Sequence, residues 1–141
     1  MSELTMASDD REAFLAEPHI GVLTIARQKG QPPLATPIWY EYADGAVAIN
    51  IGRDSVKARL AAAEGVASLT MQTEQFPYRF VTVGGPVVLA AADDDTRRRI
   101  AARYMPAEQV DGYLAGGNAA DMLTLRLTPR TWHSNDYTNL M

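Results

Sequence analysis

The stretch Tyr78–Ala90 constrains this chain most. Its residues are mostly apolar and β-branched, which suits a strand, yet the run exceeds the roughly ten residues that strands usually reach. It is also interrupted by Gly84-Gly85-Pro86. Glycine gives up side-chain packing and proline gives up a ladder donor, so a strand carrying all three bends there. A bent strand is what a sheet uses to turn a barrel corner, so the rest of the chain is expected to supply the other staves.

It does so in order. His19–Arg27 is apolar and β-branched, the pattern of a buried strand. After Lys29-Gly30-Gln31 comes Leu34–Tyr42, and Ala43-Asp44-Gly45 closes a hairpin into Ala46–Ile51. Val66–Thr73 is a further strand. Asp121–His133 alternates cleanly, with Leu123, Leu125 and Leu127 on one face and Thr124, Arg126 and Thr128 on the other. That makes six antiparallel strands. Asp9 and Glu12 suggest a capping box for a short helix over Arg11–Ala16. Val56, Leu60 and Ala63 share one face of a second helix that stops at Gly65. Asp93–Met105 carries acids first and arginines later, in the order the helix dipole favours, and Pro106 opens another helix to about Ala115. The expectation is a mostly β single domain over 1–141: a six-stranded antiparallel barrel flanked by short helices.

The 141 residues, 47% of them hydrophobic, suffice for one core. A net charge of −4 argues against a nucleic-acid partner. No apolar run reaches bilayer length, and Met1–Asp10 lacks the pattern of a secretory signal, so no membrane partner is expected and the cytoplasm is the default. Cysteine is absent, and His19 and His133 stand in no metal-ligand spacing, so no metal is expected. Hydrolase, P-loop and Rossmann signatures are all missing.

Four segments could carry chemistry. In Asn50-Ile51-Gly52-Arg53-Asp54-Ser55-Val56-Lys57, a strand ends and a helix begins beside two cations and a hydroxyl. That is the composition of an anion site, most simply for phosphate. It is equally that of a surface helix capped by Ser55 or Asp54. Around Thr36-Pro37-Ile38-Trp39-Tyr40, the proline marks open backbone beside aromatic walls. Phe76–Gly85 is an aromatic-rich strand, and Pro129–Tyr137 is a polar, aromatic tail that either caps a pocket or ends loose. The run Arg97-Arg98-Arg99 reads as a solvated helix face.

Taken in order, these segments resemble the pyridoxamine 5′-phosphate oxidase-like, FMN-binding split-barrel superfamily. The resemblance rests on Gly21-Val22-Leu23-Thr24, Gly30-Gln31-Pro32, Thr36-Pro37-Ile38-Trp39-Tyr40 and Asp44-Gly45. Arg53, Ser55 and Lys57 ahead of Ala58-Arg59-Leu60, and Pro77–Gly85, complete it; the whole spans about residues 12–133. It is nearest in style to small actinobacterial flavin- and deazaflavin-dependent oxidoreductases. It implies a homodimeric split barrel with FMN or coenzyme F-420 in each intersubunit groove. Lys57, with Arg53 and Ser55, would hold the phosphate. Thr36, Pro37, Ile38, Trp39, Asn50, Ile51 and Gly52 would line the ring, and Gln72, Tyr78 and Trp132 would border the groove, in part from the partner subunit. The implied activity is hydride transfer to an unknown small unsaturated molecule, with no catalytic side chain required; the alternative is a non-catalytic cofactor carrier or sensor. Two departures bear on this. The chain stops soon after Trp132, short of the extension that recognises pyridoxal phosphate, and Ser55 stands where many deazaflavin users carry arginine.

Overall fold

The computed structural model describes residues 3–140; Met1 and Ser2, part of the N-terminal stretch read above, and Met141 lie outside them. Eight strands and four α-helices follow one another. They are α1 (Ser8–Ala16), β1 (Gly21–Ile25), β2 (Leu34–Ile38), β3 (Glu41–Ala43), β4 (Ala46–Gly52), α2 (Val56–Glu64), β5 (Val66–Gln72), β6 (Arg79–Ala91), α3 (Asp94–Tyr104), α4 (Ala107–Ala115), β7 (Met122–Leu127) and β8 (Thr131–Asp136). All pairings are antiparallel, in the order β2-β1-β5-β6-β7-β4-β3, with β8 also on β6.

The bent strand organises this sheet. Residues 80–86 of β6 pair with β5, 79–84 pair with β8, and 87–91 pair with β7. One strand therefore belongs to two half-sheets, and the bend at Gly84-Gly85-Pro86 curls them around a shared core. Leu23, Ile25, Leu69, Met71, Val81 and Val83 point inward from one half, and Val47, Ile49, Ile51, Leu125 and Leu127 from the other. Phe14 and Leu15 of α1 join that core. Each fully buried side chain of this size contributes about 1.5–3 kcal/mol.

The six expected strands become eight because two of them break. Leu34–Tyr42 is interrupted at Trp39-Tyr40, where the Tyr40 N–H donates to Tyr104 Oη (3.3 Å) and the Tyr40 carbonyl accepts from Arg103 Nε (2.9 Å) instead of from a neighbouring strand. Asp121–His133 is interrupted after Leu127. Val87 faces Leu127 and Gly84 faces Thr131, so two residues of β6 lie opposite three of the segment joining β7 to β8. This is a β-bulge, and Pro129, which has no N–H to give, sits in it. The tail beyond it is neither loose nor a cap: it is β8, paired along β6.

Two helix readings also change. The N-cap of α1 is Ala7, with no side-chain capping bond, so the Asp9–Glu12 box does not form. On α2 the buried residues are Ala58 and Ala61, while Val56 is exposed: small side chains let the helix sit close to the barrel, and Val56 is left facing out. Its ends are as expected, with Ser55 as N-cap and Gly65 closing it at φ +71°.

Candidate functional site

A cleft of ≈ 320 Å³ lies where the end of β4 meets the helices α3 and α4. Its lining includes Ile38, Trp39, Asn50, Ile51, Gly52 and Lys57 from the segments singled out above. Arg97, Ile100 and Ala101 of α3, Tyr113 of α4 and Met122 of β7 complete it. The floor is set by register. Asn50 lies opposite Thr124 and Gly52 opposite Met122, on the side of β4–β7 turned away from the core.

The helices are fastened over this side by polar contacts. Arg99 grips Glu41 of β3 with both ends of its guanidinium (3.0 and 3.2 Å), and this contact raises the Arg99 pKa further. Tyr104 donates to the carbonyl of His19 (2.7 Å), and burial raises its phenol pKa above the ordinary value. Its ring stacks on Trp39 with centroids 5.1 Å apart and planes 7° apart, and Tyr113 leans on the same indole at 5.6 Å. Trp39 and Tyr113 thus form one aromatic wall of the cleft. Tyr40, next in sequence, is a core residue: its hydroxyl donates to Leu15 O (2.7 Å), and burial pushes its pKa well up.

At the head of α2 the expected anion-binding groups divide into two kinds. Lys57 is half-buried, lines the cleft, and has no hydrogen-bonding or ionic partner among the described residues. The main-chain N–H groups of Val56 and Lys57 likewise have no acceptor there. Ser55, in contrast, is committed to the chain: its Oγ accepts from Ala58 N (3.1 Å) and donates to Gly52 O (2.7 Å). Arg53 is exposed and directs Nε to Ala120 O (3.0 Å), tying the turn before β7 to the end of β4.

The remaining expected residues lie elsewhere. Thr36 and Pro37 are on β2, Pro37 facing outward opposite Val22. Gln72 and Tyr78 line a separate depression with Arg79 and Phe80. Trp132 turns toward the barrel interior, with the Arg11 guanidinium 4.4 Å above its ring. Among the described residues no group of three or more His, Asp or Glu is placed to hold a metal.

One sequence reading is overturned. The arginine run is not a uniformly solvated face: Arg98 and Arg99 are exposed, but Arg97 is only 7% exposed and lines the cleft. The signal was present in the spacing. Arg97, Ile100, Ala101 and Tyr104 stand at i, i+3, i+4 and i+7, so the arginine occupies the apolar stripe of α3.

A curled antiparallel sheet split about one shared strand is the split-barrel fold seen in pyridoxamine 5′-phosphate oxidase-like proteins. Solved structures agree. The chain is similar to a conserved hypothetical protein of Mycobacterium tuberculosis, Rv2991 (TM-score 0.77, 20% identity, 99% of this chain and 91% of that one). It is similar to a pyridoxamine 5′-phosphate oxidase-like protein of Listeria innocua (0.68, 16%, 89% and 95%). It is similar also to an F420 reductase (0.63, 18%, 86% and 94%). No protein-family model matches the chain, and no curated protein does.

Proposed function

We propose that the protein is a flavin- or deazaflavin-dependent oxidoreductase, with FMN or coenzyme F-420 seated in the Trp39–Asn50–Lys57 cleft. The observation that carries this reading is the pairing of a free cation, Lys57, with an aromatic wall in one cleft, beside the free amides at the start of α2. Helix-start N–H groups and a lysine suit a phosphate, and an indole face suits a planar heterocycle. The cleft volume is at the small end of the roughly 300–1,000 Å³ typical of ligand sites.

Once bound, such a ring supplies hydride chemistry, and the protein is left with binding, orientation and exclusion of water. Trp39 and Tyr113 cover the ring, Asn50 offers an amide donor, and Lys57 anchors the phosphate. Ser55 and Arg53 act through position: one caps α2, the other ties the β4–α2 turn to the segment entering β7. The substrate is a small unsaturated molecule.

The protein works as a homodimer in this reading. On β1, β2, β5, β8 and the first half of β6, the outward positions carry no Asp, Glu, Lys or Arg, in a chain that is 21% charged. One row across this face runs Pro37–Val22–Thr70–Thr82–His133, with Phe80 beside it. A charge-free face five strands wide suits burial against a second copy. Gln72 and Tyr78 lie at its border, where they could edge the partner's cleft.

Titration with FMN and with coenzyme F-420 tests the reading. One of them is expected to bind, and Lys57→Ala should weaken it by about tenfold or more, the worth of a hydrogen bond to a charged group. Unchanged affinity in Lys57→Ala would remove the site assignment. Turnover with excess reduced cofactor separates a reductase from a carrier, since a carrier binds the reduced form without oxidising it faster than buffer does.

A further inference from the structure

Thr124 carries a polar group at a place where the sheet itself has no use for one. It is 2% exposed and lies on the side of β7 turned away from the core, directly opposite Asn50 of β4. Its hydroxyl has one partner among the described residues, Asn50 Oδ1, to which it donates (2.7 Å). A valine would suit a buried strand position better, so the consequence of the hydroxyl lies in what it does to Asn50.

It sets which end of the amide faces outward. The accepting oxygen and the donating nitrogen share one planar group, so fixing one fixes the other. With the amide turned over, Nδ2 would meet the hydroxyl, and the hydroxyl proton would be buried without an acceptor, which is costly. The bond therefore holds Oδ1 against Thr124. Nδ2 has no partner among the described residues. The one buried side-chain polar atom among them that lacks a partner is Arg11 Nε, so Nδ2 reaches open space, and the space that Asn50 borders is the cleft. No carboxylate lines that cleft to compete for the donor.

We propose that Thr124 is a positioning residue: without touching the ligand, it locks Asn50 so that the amide N–H groups face the cleft and meet a carbonyl edge of the bound ring. This rests on the flavin reading above, in which the ring carries such carbonyls.

The test is a double-mutant cycle on the binding of FMN and of coenzyme F-420, using Asn50→Ala, Thr124→Val and the two together, with Thr124→Ser as the rescue. For the cofactor that wild type binds, Asn50→Ala should weaken affinity about fivefold, the worth of one hydrogen bond. Thr124→Val should weaken it about threefold, because the freed amide spends part of its time turned over. On the Asn50→Ala background Thr124→Val should cost nothing further, whereas a threonine serving the fold alone would cost the same with or without Asn50. Thr124→Ser, which restores the hydroxyl, should bind within about twofold of wild type. A second measurement needs no change at the buried site. In isotope-labelled wild type, the Asn50 side-chain amide signal, identified by its loss in Asn50→Ala, should shift when cofactor binds. An unmoved Asn50 signal, a Thr124→Val variant that binds like wild type, or equal losses on the two backgrounds would overturn the assignment. If wild type binds neither cofactor, the flavin reading itself fails and this inference falls with it, before any variant is measured.

Discussion

Replacing Gly85 with alanine should remove a large part of the protein's stability. A Cβ at this position would stand 1.9 Å from Thr128 O and 3.2 Å from Arg130 N, both main-chain atoms that no rotamer change can move. Carbon and oxygen approach comfortably to about 3.3 Å, so the bulge must retreat by roughly 1.4 Å. Two hydrogen bonds hold it where it is, Thr128 N–H to Pro86 O (3.0 Å) and Arg130 N–H to Gly84 O (2.8 Å). Breaking both and leaving their groups poorly satisfied costs about 3–5 kcal/mol, a large part of the roughly 5–15 kcal/mol that holds a domain together. Urea unfolding followed by circular dichroism measures this as a drop in midpoint at constant slope. Gly84→Ala is the control. Its Cβ would crowd the Thr131 hydroxyl (2.8 Å), a side-chain atom, and meet Ala67 O (3.7 Å) at ordinary contact distance, and the expected loss is within about 1 kcal/mol. If Gly85→Ala were as mild as Gly84→Ala, the bulge would be yielding and the argument from close approach would be wrong.

Three further outcomes follow from the geometry. Ser55→Ala removes the cap of α2 and should cost about 1 kcal/mol in urea unfolding. Asp93 accepts from Thr96 N (2.7 Å), and this bond holds its carboxyl pKa below the ordinary value. A folded pKa lower than the unfolded one gives stability that is complete above the unfolded value of about 3.9 and is lost as pH falls through the folded one. Asp93→Asn, which still accepts but does not titrate there, should therefore flatten the acid end of the stability profile, while Asp93→Ala should cost about 1 kcal/mol at neutral pH. Thr82→Arg places a charge at the centre of the uncharged sheet face, and light scattering should find a monomer where the wild type is a dimer; a dimeric variant would count against this face as the interface.

What the sequence disclosed and what it withheld divide by range. Gly65, Ser55 and the acids before α3 act on their own neighbours, so their roles can be read locally. The bend of β6 was legible too, because glycine and proline state their constraint wherever they stand. The break at Trp39-Tyr40 was not, since it depends on Tyr104 and Arg103 arriving from α3. Arg97 was legible only through its spacing from Ile100, Ala101 and Tyr104, and not from the run it stands in. Three adjacent arginines look alike in a row, but each helical residue turns by about 100°, so the three leave the axis in different directions. What α3 packs against decides which one is buried. Of the proposed site, Asn50, Ile51, Gly52 and Lys57 come together because they flank the β4–α2 turn, and Ile38 and Trp39 join them from the end of β2, where Trp39 packs on Tyr104 and Tyr113. Gln72, Tyr78 and Trp132 were joined to them by resemblance alone, and within one chain they do not meet them.

The ladder beneath the cleft has a consequence for the order of assembly during synthesis. Val47 pairs with Leu127 and Gly52 with Met122, so the floor joins an early part of the chain to one of its last strands. Every residue proposed to touch the phosphate has left the ribosome long before that floor can exist. Loops of that length close slowly, and the unpaired edge of β4 stays open meanwhile. A cofactor therefore meets a finished cleft only after β7 has emerged and paired, and the exposed apolar edge of the waiting half-barrel is the stage most open to aggregation.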